Sequence, residues 1–183
     1  MRVLENCEPK QVFYYFEEIC KIPHGSRNTK QISDYLVAFA KEHGFDYVQD
    51  EMNNVIIYKP ATPGYENAPT VILQGHMDMV CEKRPDVQHD FEKDGLNLSV
   101  KDGYVTANGT TLGGDDGIAV AYALALLDST DLPHPALEVL ITVDEEIGML
   151  GAVAMDCSSL KSRLMLNLSL IHISEPTRRS YIS

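Results

Sequence analysis

The chain has 183 residues, 44% hydrophobic and 23% charged, with a formal net charge of −12. That is enough for one globular domain with a sizeable core, and the acidic excess disfavours nucleic acid and anionic membrane as partners. No apolar run is long enough to span a bilayer, the first turn of sequence carries Glu5 and Glu8 where a signal peptide would be apolar, and Cys7, Cys20, Cys81 and Cys157 form no C-x-x-C pair; these features read as a cytoplasmic protein with reduced thiols and no thiolate metal site.

In chain order, the spacing of Val12, Phe13, Phe16, Ile19 and Cys20 predicts a helix over 9–21, opened by Pro9 and ended by Pro23. A second helix is expected to run to about Glu42, with Ser26 as candidate N-cap and Gly44 as its stop. Strands are expected over 47–50 and 55–58, then a proline-rich loop over 60–69 and a buried strand over 71–73. Asp102-Gly103 marks a hairpin between 98–100 and 104–106. Residues 116–127 read as a helix that is apolar all round and therefore buried. Buried strand 137–143, short helix 151–155 and apolar strand 164–168 complete the pattern. Strands alternating with helices argue for an α/β layered domain with a largely parallel sheet, whose ligands sit beyond the carboxyl ends of the strands.

Three acidic clusters map to those ends: Gly75-His76-Met77-Asp78, Gly113-Gly114-Asp115-Asp116-Gly117 and Asp144-Glu145-Glu146. An imidazole plus several carboxylates from separate connections suits a zinc-type hydrolytic site. Asp78, two residues beyond His76, can hydrogen-bond the second ring nitrogen and fix the tautomer, although an H-x-D pair alone also reads as a surface pair. Asp115 and Asp116 precede a helix, so N-capping competes with a metal role; one cap needs one aspartate, and two adjacent carboxylates repel without a positive neighbour. Within 144–146 one carboxylate can bind metal while its neighbour shuttles a proton, and a solvated acidic turn is the bland alternative.

The phrases Ile22-Pro23-His24-Gly25-Ser26, Gln74-Gly75-His76-Met77-Asp78-Met79-Val80, the run 108–117 from Asn108 to Gly117, and Thr142-Val143-Asp144-Glu145-Glu146-Ile147-Gly148 resemble the N-terminal part of the aminoacyl-histidine (Xaa-His) dipeptidases. These are a branch of the co-catalytic di-zinc exopeptidases, and the resemblance covers roughly residues 1–168. It implies an incomplete three-layer sheet-and-helix catalytic domain of the zinc-dependent exopeptidase type, with the lid or dimerisation domain and the C-terminal catalytic half absent. It implies two zinc ions, with cobalt or manganese as substitutes. His76 would bind one ion and Asp78 would orient it. Asp115 would bridge the ions, with a cis peptide to Asp116. Glu146 would bind the second ion, and Glu145 would be the general acid/base for attack by a metal-bridging hydroxide on a dipeptide carbonyl. The parent would be a cytoplasmic homodimer acting on short peptides; an amino-acid deacylase of the same superfamily is the alternative.

The family continues after Leu166-Asn167-Leu168 with a zinc-binding aspartate, and here position 169 is Ser169. Residues 168–178 resemble the in-frame translation of a transposon-based sequencing adapter, so 169–183 are expected to be a non-native tail and His172 a decoy. With three expected ligands left, metal affinity is expected to fall by orders of magnitude, and with a sheet face uncovered the chain by itself is expected to be a metal-depleted, inactive and poorly soluble fragment.

Overall fold

The computed structural model describes residues 2–168. A five-stranded sheet carries the order β1-β2-β6-β3-β7, with β1 Asp46–Gln49, β2 Val55–Lys59, β3 Val71–His76, β6 Leu137–Thr142 and β7 Leu164–Asn167. A separate hairpin pairs β4 Leu98–Lys101 with β5 Tyr104–Ala107. Helices α1 Lys10–Cys20, α2 Lys30–Glu42 and α3 Gly114–Asp128 are joined by the short α4 Leu150–Ala154. β3 runs parallel to both β6 and β7, while β2 is antiparallel to β6 and to β1. Four of the five strands therefore point the same way, and the mixed α/β fold with a mostly parallel sheet matches the expectation.

The alternation of side chains along the strands divides the core. Ile57, Leu73, Val139 and Ile141 pack with Phe16, Ile32, Leu36 and Leu124 from the three long helices. Ile56, Ile72 and Leu140 form a smaller cluster on the opposite face, met by Tyr58, Met155 and Leu160. β6 lies between β2 and β3 and is buried along its whole length, as its continuous apolar run predicts. Gly75 lets α3 come down onto β3: a Cβ there would lie 2.6 Å from Asp116 Oδ2 and 3.1 Å from Ala119 Cβ.

Two local expectations change. Ser26 does not cap α2. A turn bonds Asn28 N–H to Gly25 O (2.8 Å), Arg27 takes a left-handed φ of 67°, and the helix begins after Thr29. The strand expected over 164–168 forms as β7, but Leu164, Met165 and Leu166 are exposed at the sheet edge. His172 and the rest of 169–183 lie outside the described residues.

Candidate metal centre

β3 and β6 are parallel neighbours with His76 opposite Thr142, so the segments leaving their carboxyl ends emerge side by side. His76 closes β3 and is only 1% exposed. Its Nδ1 lies 2.9 Å from Asp78 O and 3.4 Å from Asp78 Oδ1, two acceptors that hold the proton on Nδ1. Nε2 faces Asp115 Oδ1 at 3.2 Å and Glu145 Oε2 at 3.8 Å. One ligand atom each from His76, Asp115 and Glu146 falls within 4.8 Å of the others, a spacing that could hold a metal ion. The sequence-selected residues His76, Asp78, Asp115, Glu145 and Glu146 thus come together from three connections.

The two aspartates at the start of α3 divide their work. Neither caps the helix: Gly113 is at the N-cap in a left-handed conformation, and no side-chain cap bond forms. Asp115 points outward, its side chain 62% exposed, and the Asp115–Asp116 peptide is cis. Asp116 is buried and accepts the backbone N–H of His76 at 3.0 Å. The carboxylate of Asp78 is fully enclosed and accepts from Ser26 Oγ (2.8 Å), Glu145 N–H (3.0 Å) and Glu146 N–H (3.4 Å).

Negative charge dominates the electrostatics. Burial works to lower the pKa of His76, but the hydrogen bond to Asp78 and the charges of Asp116, Asp78 and Glu145 outweigh it and hold the imidazole at about 9. Burial pushes Asp116 up to about 7, with Asp115 and Glu145 adding to the rise against the His76 N–H bond. Burial also raises Glu146, aided by Asp115, Glu145 and Asp78. For Asp78, burial is overcome by bonds from His76, the Glu145 N–H and Ser26, and its pKa falls. Among the described residues, Asp115, Glu145 and Glu146 have no Lys or Arg ion-pair partner; Asp115 and Glu145 pair with His76. A cluster with one imidazole, several carboxylates and no Lys or Arg has the donor chemistry of a divalent cation site.

Sequence reasoning missed three supports. Asp116 reads as a candidate cap in the sequence, and in the fold it serves the β3 backbone. Asp144, read only as part of an acidic triplet, is buried and accepts Arg27 N–H at 2.6 Å. Ser26 reaches across 52 positions to Asp78. No local pattern signals the last two, because both bonds join segments distant in the chain.

Comparison with known proteins places this site in a lineage. The chain is 42% identical over 167 residues to the cytosol non-specific dipeptidase of Escherichia coli (strain K12), covering 91% of this chain and 34% of that protein. The crystal structure of aminoacylhistidine dipeptidase from Vibrio alginolyticus superposes with a TM-score of 0.87 at 44% identity, covering 90% of this chain and 34% of that one. A tripeptidase from Staphylococcus aureus superposes with a TM-score of 0.71 at 25% identity, covering 86% of this chain and 42% of that one. The chain therefore spans about a third of the length of the two dipeptidases it matches. The model of peptidase family M20/M25/M40 matches residues 72–181. Because that match takes in more than half of the 183 residues and every side chain from His76 to Glu146, this chain belongs to peptidase family M20/M25/M40.

Proposed function

We propose that this chain supplies the metal-binding part of the catalytic domain of a dipeptidase that hydrolyses short peptides of the Xaa-His type, with zinc as its cation. The observation that carries the reading is the convergence of His76, Asp115 and Glu146 within 4.8 Å, with Glu145 beside them. His76 Nε2 and carboxylate oxygens of Asp115 and Glu146 would hold the cation. When bound, zinc would polarise the peptide carbonyl and acidify water. Glu145 is half-buried at the rim, so its Oε2 can accept a proton and return it to the departing amine. Asp78 faces Nδ1 of His76 and would leave Nε2 free to hold the cation.

The same reading makes the protein cytosolic and its full-length form a homodimer. Four free cysteines, two of them exposed, support a reducing compartment. No helix among the described residues is long and apolar enough to cross a membrane. Residues 1–168 are proposed as native catalytic-domain sequence and 169–183 as foreign, with the 183-residue chain alone binding metal far more weakly than its full-length parent and turning over no peptide.

The test is hydrolysis of β-alanyl-histidine by the zinc-loaded full-length protein. Glu145→Gln should lower kcat by ~10²–10⁴-fold while zinc stays bound; unchanged kcat rejects the role given to Glu145. Robust turnover by the isolated chain, abolished by Glu145→Ala, would overturn the proposal that the chain alone is inactive.

A further inference from the structure

The turn between α1 and α2 is fastened to the segments that follow β3 and β6. Met79 N–H donates to His24 O (3.2 Å), and Ser26 N–H donates to Met79 O (3.4 Å). Ser26 Oγ–H donates to Asp78 Oδ2 (2.8 Å), and Arg27 N–H donates to Asp144 Oδ1 (2.6 Å). Asp78 is the hub of these contacts. Its carboxylate has 0% exposure, so each oxygen depends on protein donors. Oδ1 accepts from Glu145 N–H at 3.0 Å and faces His76 Nδ1 at 3.4 Å. Oδ2 has Ser26 at 2.8 Å and Glu146 N–H at only 3.4 Å. Ser26 is therefore the strong donor at Oδ2.

We propose that Ser26 is a positioning residue of the metal centre, its hydroxyl fixing through Asp78 both the His76 ring and the Glu145-Glu146 backbone. The inference rests on reading His76, Asp115 and Glu146 as metal ligands. These ligands arrive on separate connections, so the strand pairing of β3 and β6 sets their spacing only to within the freedom of the loops that follow. Asp78 removes that freedom by gripping both loops, and Ser26 sets the rotation of Asp78. Without the hydroxyl, Oδ2 keeps one long bond. The carboxylate then rotates toward another donor, and the His76 and Glu145 contacts at Oδ1 move with it. A purely structural serine would affect stability and leave the ligands of the folded protein where they were.

The experiment is zinc affinity of the 183-residue chain, measured by competition with a chromophoric chelator. Ser26→Thr is compared with Ser26→Val, which matches it in shape and lacks the hydroxyl. Circular dichroism at the assay temperature establishes that both are folded. Thr is expected to bind zinc as the unsubstituted chain does, and Val to bind ~10–100-fold more weakly. Equal affinity of Thr and Val overturns the proposal. Should a branched side chain prevent folding, Ser26→Ala against the unsubstituted chain gives the same comparison, with equal affinity again overturning it. His76→Ala separates the two levels of inference. If it loses zinc while Thr and Val match, only the role of Ser26 fails; if it binds zinc undiminished, the ligand assignment fails and the Ser26 proposal with it.

Discussion

Gly113 turns the chain into α3 with φ 66°, and a Cβ there would lie 2.8 Å from Met79 Sδ and 3.4 Å from His24 Nε2. Left-handed strain and that crowding act together, so Gly113→Ala should cost about 1–3 kcal/mol, read from urea unfolding; an unchanged midpoint contradicts it. His24, on the other side of this contact, is buried with Nδ1 2.6 Å from Ile22 O. Burial lowers its pKa from 6.5, outweighing the opposing pull of the Ile22 carbonyl and Asp78. The unfolded chain then takes up the proton more readily than the folded one, so stability falls as pH drops through about 6.5 and below. Urea midpoints at pH 7.5 and 5.5 should therefore separate more for the unsubstituted chain than for His24→Gln; equal separations contradict the burial argument. The acidic and glycine phrases were legible in the sequence because their chemistry is local. The partners of Asp116, Asp144 and Ser26 were not, since each bond closes only when distant segments meet.

At the level of elements, hydrophobic pattern and turn signals located the α-helices and strands of the described residues but not the 3-10 turn Cys157–Ser159, and other departures arose where polar contacts override the pattern. Ser26 reads as a helix cap until its hydroxyl is seen committed to Asp78. α3 reads as beginning at its aspartates, and regular helical backbone starts only after Asp116, because Asp115 and Asp116 hold non-helical angles. β7 is a poorly protected edge strand. It ends the sheet, and Leu164, Met165 and Leu166 are each at least half exposed. An apolar strand at a sheet edge is a template for pairing with another chain. The 183-residue chain should associate in a concentration-dependent way by light scattering, and Leu166→Lys should shift it toward monomer. A monodisperse monomer at all concentrations would show that this edge is protected.

Across the whole molecule the sheet is asymmetric. Among the described residues, three long helices bury one face, while the other carries short segments around Ile56, Ile72 and Leu140. An open cleft of about 260 Å³ remains there, lined by Gln74, Leu140, Thr142, Glu145, Met149 and Met165. The α/β class was legible because buried apolar strands alternate with amphipathic helices. The strand order β1-β2-β6-β3-β7 was not, because the pairing of β2 with β6 spans the hairpin and α3. That order is nonetheless what makes the site: it sets β3 beside β6 and brings His76 to the carboxylates at 115 and 146. X-ray absorption at the zinc edge of the zinc-loaded chain tests this placement most directly. The account predicts a shell of nitrogen and oxygen ligands at ~2.0–2.2 Å, with an imidazole signature that disappears in His76→Ala. A shell containing sulfur at ~2.3 Å, or an imidazole signature that survives the loss of His76, would contradict it.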